Sequence, residues 1–309
     1  MTRSSPHPFT LRQLQYLLAV ADHKSFRRAA ELCAVSPPSL SQQIAQIEEA
    51  LGVPVFERLP RGVVVTEAGA LILERARRVL LGADDLLAAS ERARDPLSGV
   101  LRIGVIPTVA PYLLPDIAPV LREAFPRLRL LWFEEKTRTL LERVAGGELE
   151  AGIVAAESEL GELEQEPLGR DAFVLAVPPG HPLARSEAPA RPADLDGETV
   201  LLLDDGHCFR DQALALCQGA GADEASVRAT SLSTLAQMVA GGAGITLLPS
   251  IAVATENRAR GLVLRPFGPR GPSRTLTLVW RGTGPSGVAL RAIAAAVRPV
   301  VTRLAAALR

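Results

Sequence analysis

At 309 residues the chain is long enough for two or three folding units, and 48% apolar residues is ample for real cores. Its 34 Lys and Arg balance 34 Asp and Glu, which excludes a polyelectrolyte-type nucleic-acid binder and leaves any DNA contact to a local patch. The composition also excludes a disordered chain, and no stretch reaches the ~18–20 apolar residues that span a bilayer.

Met1 to Pro8 lacks the apolar core of a secretory signal, so a cytoplasmic protein is expected, with no membrane partner. Cys33, Cys208 and Cys217 make an odd count. In a reducing compartment that argues against a permanent disulfide and leaves a transient one open. Arginine supplies nearly all the basic charge, Lys24 and Lys136 being the lysines.

In chain order, Leu14, Leu17, Leu18 and Ala21 have helical spacing, and a second helix runs through Phe26, Ala29, Ala30 and Cys33. Ser36-Pro37-Pro38-Ser39 breaks the chain and opens a third helix through Leu40, Ile44, Ile47 and Leu51. Proline is tolerated in a first turn, whose amides have no internal partner. Ser36 can cap this helix and Gly52 closes it. Two helices across so short a break make a helix-turn-helix. Val55–Arg58 and Gly62–Val65 read as two short strands. A long helix then opens at Thr66-Glu67-Ala68-Gly69 and runs to about Glu91. Its Ile72, Ala76, Val79, Ala83 and Leu86 form a heptad seam, which suits either a partner helix or packing on its own domain.

Asp95 to Gly99 reads as a linker. Beyond it strands and helices alternate, with strands expected at Leu101–Ile106, Leu128–Trp132, Gly152–Ala155, Ala172–Val177, Thr199–Leu203, Val227–Ala229, Ile245–Leu248, Leu262–Pro266 and Thr275–Val279. A last helix is expected from about Ser286 to Leu308. The alternation predicts an α/β domain with mostly parallel sheets, divided into two sub-domains around a cleft.

The helix after Pro38 presents Ser39, Ser41, Gln42, Gln43 and Gln46, short hydroxyls and amides able to reach base edges and phosphates. Arg58 and Arg61 flank the hairpin turn, where a wing could touch phosphate. Ser36 belongs to the same candidate surface. Charge up to Thr66 is only mildly positive, and polar helix faces are commonly just solvated.

The run Phe26-x-x-Ala29-Ala30-x-x-Cys33-x-Val35-Ser36-x-Pro38-x-Leu40-Ser41-x-Gln43-Ile44, then Glu48, Leu51-Gly52, Phe56-Glu57-Arg58 and Thr66-x-x-Gly69, resembles the LysR-type winged helix-turn-helix throughout. Many relatives carry a glutamine where Pro37 stands, and proline offers no side-chain donor, so a base contact there is not carried over. The resemblance implies a double-stranded DNA operator, RNA polymerase as a partner, and dimerisation through the long helix into a homodimer or homotetramer. Gly242-x-Gly244-Ile245-x-x-Leu248-Pro249 and Gly180-His181-Pro182-Leu183 resemble LysR-type effector domains, whose fold is similar to periplasmic binding proteins. The expected division is a winged helix-turn-helix over 1–66, a dimerisation helix over 67–92, a hinge over 93–98 and an effector domain over 99–309. Sub-domain I would take about 99–168 and 272–309, and sub-domain II about 169–271.

Asp204-Asp205-Gly206-His207-Cys208-Phe209-Arg210-Asp211-Gln212-Ala213, with Cys217 and Gly221-Ala222-Asp223-Glu224, is similar to the peroxide-sensing OxyR branch. So is Ile106-Pro107-Thr108-Val109-x-Pro111-Tyr112-Leu113-Leu114-Pro115. The residues carry the chemistry themselves. Cys208 lies beside His207 and two positions before Arg210, at the start of an expected helix ended by Gly219. A helix N-terminus and a nearby cation both favour a thiolate. Peroxide converts a thiolate to sulfenic acid, which a second thiol, here Cys217, closes to a disulfide. On one continuous helix the two would be separated by roughly 13 Å, whereas a disulfide needs Cα atoms about 4.4–6.8 Å apart. Closing it must rebuild the segment between. The resemblance places Thr108, Thr137, His207, Asp211 and Arg274 in a peroxide pocket, with Arg274 holding the thiolate charge.

Cys33, on an apolar helix, reads as core. His207 with Cys208 and Cys217 fits no common zinc spacing, so neither a metal nor a cofactor is expected. Two other readings remain open at this point: a regulator whose cleft binds a small organic effector, and a thiol peroxidase using the same cysteines. The winged helix argues against an enzyme.

Overall fold

The computed structural model describes residues 7–59, 62–259 and 261–306. The chain forms two compact units, Met1–Ala88 and Ala89–Arg309.

The first unit is built by caps. Helix α1 (Leu11–His23) starts at Thr10, which accepts the Gln13 amide while the Gln13 side chain accepts the Thr10 amide, a reciprocal capping box. Helix α2 (Phe26–Leu32) is capped by Ser25, and α3 (Pro37–Leu51) by Ser36, whose Oγ accepts the Ser39 amide at 3.3 Å. Gly52 ends α3 at φ +73°, a left-handed conformation that suits glycine. Leu40, Ile44 and Ile47 turn inward onto Leu14, Leu17, Val20, Ala29 and Ala30. A two-stranded antiparallel wing follows, β1 (Phe56–Leu59) and β2 (Gly62–Val65).

Two local devices fix where the wing begins. Glu48 accepts the amides of Val55 and Phe56 at 2.7 and 3.0 Å through one carboxylate oxygen. Thr66 donates to the Pro54 carbonyl and accepts the Gly69 amide. A side chain at Gly69 would place its Cβ 2.2 Å from the Val55 carbonyl oxygen, so this motif needs glycine.

Helix α4 (Glu67–Arg94) runs three residues past its expected end, so the first two residues of the expected hinge are helical. Its seam divides. Ala76 is buried and Ile72 partly buried, with Leu73, in the core of the first unit, whereas Val79 and Leu86 are 47% and 73% exposed.

In the second unit a seven-stranded sheet runs β10-β6-β11-β5-β3-β4, with β9 also paired to β6. Its strands are β3 (Gly99–Val105), β4 (Leu128–Glu134), β5 (Ala151–Ala155), β6 (Glu164–Val177), β9 (Thr246–Pro249), β10 (Val263–Pro266) and β11 (Ser273–Trp280). A separate pair joins β7 (Thr199–Leu203) to β8 (Asp223–Ala229). The expectation of mostly parallel sheets is corrected. Strand β3 is parallel to β4 and β5, and β7 to β8, but every pairing of β6 and β11 is antiparallel.

The cause is β6, which at 14 residues pairs with β9 and β10 along its second half and with β11 along most of its length, always antiparallel. Its first half, Glu164 to Asp171, contains Pro167, Gly169 and several charges and does not read as a strand. It is held from outside. Arg298 pairs with Glu166 and donates to the Pro167 carbonyl. Gly169 leaves room for Val301, from α10 (Gly287–Ala306). The other helices are α5 (Ala110–Ala124), α6 (Thr137–Gly146), α7 (Cys208–Ala220), α8 (Leu232–Ala240) and α9 (Ser250–Glu256). This is the periplasmic-binding-protein-like architecture that the resemblance implies. Among the described residues no helix is long and apolar enough to cross a membrane.

Replacing Glu48 by Ala leaves two partly buried amides without their acceptor and should destabilise the first unit by about 1–3 kcal/mol. Amide hydrogen exchange reads this directly. Protection at Val55 and Phe56 should fall while that of β3 and β5 stays. Unchanged protection at Val55 and Phe56 would remove Glu48 from this role.

Candidate functional site

The site is assembled where β7 ends and α7 begins. The turn Asp204 to His207 includes Gly206 at φ +90°, and Cys208 is the first residue of α7, partly exposed. Phe209 anchors the helix inward, stacked edge-on against Phe173 with centroids 5.0 Å apart. Cys217 lies buried on the same uninterrupted helix. Both thiols are free. Burial, then the Glu224 carboxylate, pushes the Cys217 thiol up to about 11. The helix passes Gly219 and ends at Gly221, φ +80°, where a Cβ would collide with Asp196.

Arg210 does not serve Cys208 as a free cation. It is buried, and donates to Asp205 at 3.1 Å, to the Leu203 carbonyl at 3.0 Å and to Glu224 at 3.2 Å. Arg228 closes the ring onto Asp205 and Glu224. The cluster therefore clamps the first turn of α7 onto β7 and β8.

Arg274 and Thr108 form a second buried group. Arg274 stands on β11 directly across from Asp171 on β6. Its Nε donates to Asp171 at 2.9 Å, and its Nη atoms donate to the Thr108 hydroxyl at 2.7 Å and carbonyl at 3.0 Å. The other Asp171 oxygen accepts from the Ser250 hydroxyl and the Ile251 amide. Arg274 and Asp171 are both fully buried, and the guanidinium lies 5.4 Å over the Phe209 ring. Its charge is matched by Asp171, and its contact with α7 is with the Phe209 ring.

His207 forms a third group with Asp204 and Lys136. Lys136 Nζ donates to Asp204 at 2.9 Å and to the Asp205 carbonyl at 2.8 Å. The lysine, with its hydrogen bond first, lowers the Asp204 carboxyl below its ordinary value. His207 is buried, with Nε2 2.9 Å from Asp204 Oδ1, close but not aligned for a hydrogen bond. Burial, then Lys136, lowers the His207 pKa against the pull of Asp204. The imidazole is therefore neutral beside an ionised Asp204.

Cys208 opens onto a cleft of about 760 Å³ that Thr137, Ser158, Asp211 and Gln212 also line. Thr137 Oγ1, Ser158 Oγ and Gln212 Oε1 are buried and find no hydrogen-bond partner among the described residues. Burying such atoms is costly unless something satisfies them. The structure thus brings Thr137, Cys208 and Asp211 to one cleft, puts Thr108 with Arg274 in the buried pair and sets His207 in the turn. The sequence reading missed Gln212 and Ser158. Gln212 lies one helical turn after Cys208 and is in the quoted run; Ser158, in the loop after β5, carries no local signal. No cluster of metal-ligating side chains occurs among the described residues.

On the first unit, Ser39, Gln42 and Gln46 form an exposed face of α3, with Ser41 and Gln43 partly buried beside it. Ser36 is committed to its cap. Arg58 stands in β1; Arg61 lies outside the described residues.

Residues 11–70 match the bacterial regulatory helix-turn-helix family of the lysR type, and residues 94–302 match the LysR substrate binding domain. The chain is 46% identical over 276 residues to the hydrogen peroxide-inducible genes activator of Dickeya chrysanthemi, covering 89% of this chain and 90% of that protein. It is 44% identical over 289 residues to the DNA-binding transcriptional dual regulator OxyR of Escherichia coli K12, covering 93% and 94%. Its fold is similar to a hydrogen-peroxide-bound cysteine mutant of OxyR from Corynebacterium glutamicum, with TM-score 0.67, 32% identity and 98% and 95% coverage.

The neutral His207 has a consequence for stability. Its folded pKa lies below the ordinary 6.5, so as pH falls the unfolded chain binds this proton first. Stability from this group is complete above pH 6.5 and declines below it; the Asp204 contribution is lost at lower pH, below the ordinary 3.8. Urea unfolding of wild type between pH 7 and pH 5 should show the decline, and His207→Gln should flatten it. Equal slopes in the two proteins would show that His207 is not held neutral.

Proposed function

The chain belongs to the LysR family of bacterial regulators, and we propose that it is a DNA-binding transcription regulator that senses hydrogen peroxide through a switch between Cys208 and Cys217. The observation that carries this reading is the placing of the two thiols on α7. One opens the helix and faces a cleft with unsatisfied polar atoms; the other is buried nine residues further along.

The chemistry balances within these residues. The Cys208 thiolate attacks one peroxide oxygen, the O–O bond breaks, and the departing hydroxide takes a proton and leaves as water. The sulfenic acid so formed is then attacked by the Cys217 sulfur. An S–S bond forms, the S–O bond breaks, and a second water leaves with the Cys217 proton. Two thiols lose two electrons, which the peroxide gains. The Thr137 hydroxyl, with Ser158 and Gln212, offers donors and acceptors to the oxygens at the cleft wall. Asp211 borders the same cleft, His207 supplies a neutral imidazole in the adjoining turn, and Arg274 holds Thr108 and Phe209 in place behind Cys208.

Cys217 is protonated and buried while the helix is intact, so Cys208 is the thiol that meets peroxide. Nine helical residues span roughly 13 Å, and a disulfide needs about 4.4–6.8 Å. Sulfenic acid formation is therefore followed by opening of α7, and the sub-domain packed on it changes shape. The output lies in the first unit. There Ser39, Ser41, Gln42, Gln43 and Gln46 reach an operator from α3, with Arg58 and Arg61 on phosphate and Ser36 fixing the helix start. Leu71, Val79, Leu86 and Leu87, exposed on α4, suit a partner helix in a homodimer that pairs into a homotetramer. The working division takes 1–66 for DNA, 67–94 for dimerisation, 95–98 for the hinge and 99–309 for sensing, the hinge shortened by the two residues that α4 takes up. RNA polymerase is the downstream partner, oxidative-stress genes the targets, and the cytoplasm the setting.

Brief exposure to low-micromolar hydrogen peroxide should remove two protons, mapped by intact-mass and peptide analysis to a Cys208–Cys217 disulfide. The oxidised and reduced chains should give different DNA footprints, and Cys208→Ser should hold the reduced footprint at every dose. Cys217→Ser should stop at a sulfenic acid on Cys208. Unchanged thiols at a dose that fully oxidises a control peroxide sensor would overturn the reading.

A further inference from the structure

The mouth of the Cys208 cleft is acidic. Glu142 comes from α6, Glu157 and Glu159 follow β5, and Asp211 lies on α7, so three separate parts of the chain bring carboxylates to one opening. Arg138 is the one cation among the described residues that line it. Cations close by are already matched. Lys136 is bound to Asp204, Arg143 pairs with Glu135 and Glu148, and the buried Arg274 pairs with Asp171. Glu157 is held in position, accepting the Thr275 amide at 2.8 Å and the Gln212 side-chain amide at 3.4 Å.

The inner wall differs in kind. Thr137 Oγ1, Ser158 Oγ and Gln212 Oε1 are buried, uncharged and without partners among the described residues. They can satisfy a small neutral molecule bearing hydroxyl groups. An anion would cross the carboxylates and then meet no free cation inside. Exposed charges act over a Debye length of about 8 Å at physiological salt, so carboxylates lining the cleft that holds the thiol act on a charged reagent entering it.

We propose that these carboxylates are a charge filter, which makes the site specific for small uncharged peroxides and slows anionic oxidants and carboxylate-bearing thiols or disulfides. This rests on the reading of Cys208 as the reacting thiol and names the residues that set the selectivity of that thiol by charge. Glu142 and Glu159, exposed at the rim, set the field without touching the reacting atoms.

The test uses two alkylating agents of nearly equal size, neutral iodoacetamide and anionic iodoacetate. In each the thiolate sulfur bonds to the reagent carbon and iodide leaves. The reduced full-length chain is treated with each, and modification at Cys208 is read by peptide mass spectrometry, with the urea-unfolded chain as reference. At about 20 mM salt, native Cys208 should prefer iodoacetamide by about fivefold more than the unfolded reference, falling below about twofold at ~0.5 M salt as screening shortens the field. The Glu142→Gln/Glu159→Gln variant should lose this excess while its peroxide oxidation rate stays within about twofold of wild type, because a neutral reagent feels little of the field. Arg138→Gln, a separate variant, should increase the preference. An excess that ignores salt, or that survives the double substitution, would overturn the filter. A salt-sensitive preference in a chain whose Cys208 resists peroxide would uphold the filter and overturn the sensing reading.

Discussion

One distance governs this molecule. Two free thiols lie on a single helix, Cys208 at its first residue and Cys217 buried beyond two turns, and a helix has no means of shortening that span. A disulfide and an intact α7 are mutually exclusive. Any oxidation that joins these residues is therefore also a local unfolding, and everything packed on α7 takes part in it. Two cysteines in neighbouring loops could be oxidised without the fold registering the event. Here chemistry and conformation are the same step.

Two groups of buried charges are placed against the same helix. Arg210 is clamped by Asp205, Glu224 and the Leu203 carbonyl, and Arg274 by Asp171 beneath Phe209. Buried ion pairs add little net stability compared with apolar packing, because desolvation offsets most of their attraction. They do penalise misplacement, since parting the two charges leaves each without compensation. Both groups sit at the first turn of α7, where Phe209 and Arg210 enter the core. The helix is thus held in one arrangement at the end that carries Cys208, while the far end rests on the apolar burial of Cys217 and Ala213.

Much of this could be read from the sequence, where the signal was local. Thr66-x-x-Gly69 marks the entry to α4 because a cap and a close backbone approach both act within a few residues. Gly206-His207-Cys208 marks the start of α7 through the glycine alone, which turns the chain at φ +90° while His207 makes no capping hydrogen bond. What escaped depends on distant partners. Arg210 read as a cation for the thiolate because Glu224, its partner on β8, lies fourteen residues away with no spacing to announce it. Thr108 and Arg274 are 166 residues apart and meet only when β5 pairs with both β3 and β11. Gly219 and Gly221 are equally plausible helix ends on paper, and only Gly221 takes the left-handed conformation. The charged first half of β6 hides its strand character because its pairing with β11, and the contacts of α10, make it one.

Under the proposed switch, these arrangements also bear on how readily the disulfide is reduced. For a two-electron thiol–disulfide couple, about 1.4 kcal/mol corresponds to about 30 mV of reduction potential. Whatever stabilises intact α7 stabilises the dithiol alone, and so raises the potential and eases reduction. The Arg210 clamp, the Arg274–Asp171 pair under Phe209 and the burial of Cys217 all fall in this class, since each is formed on the helix that the disulfide must break. Peroxide is so strong an oxidant that these terms scarcely affect whether oxidation goes forward. They weigh on the return, where a disulfide in an opened segment is exchanged against a cellular thiol of comparable potential. Under the proposed switch, the residues that hold the reduced fold in shape are for that reason the residues that raise the potential at which the disulfide is reduced.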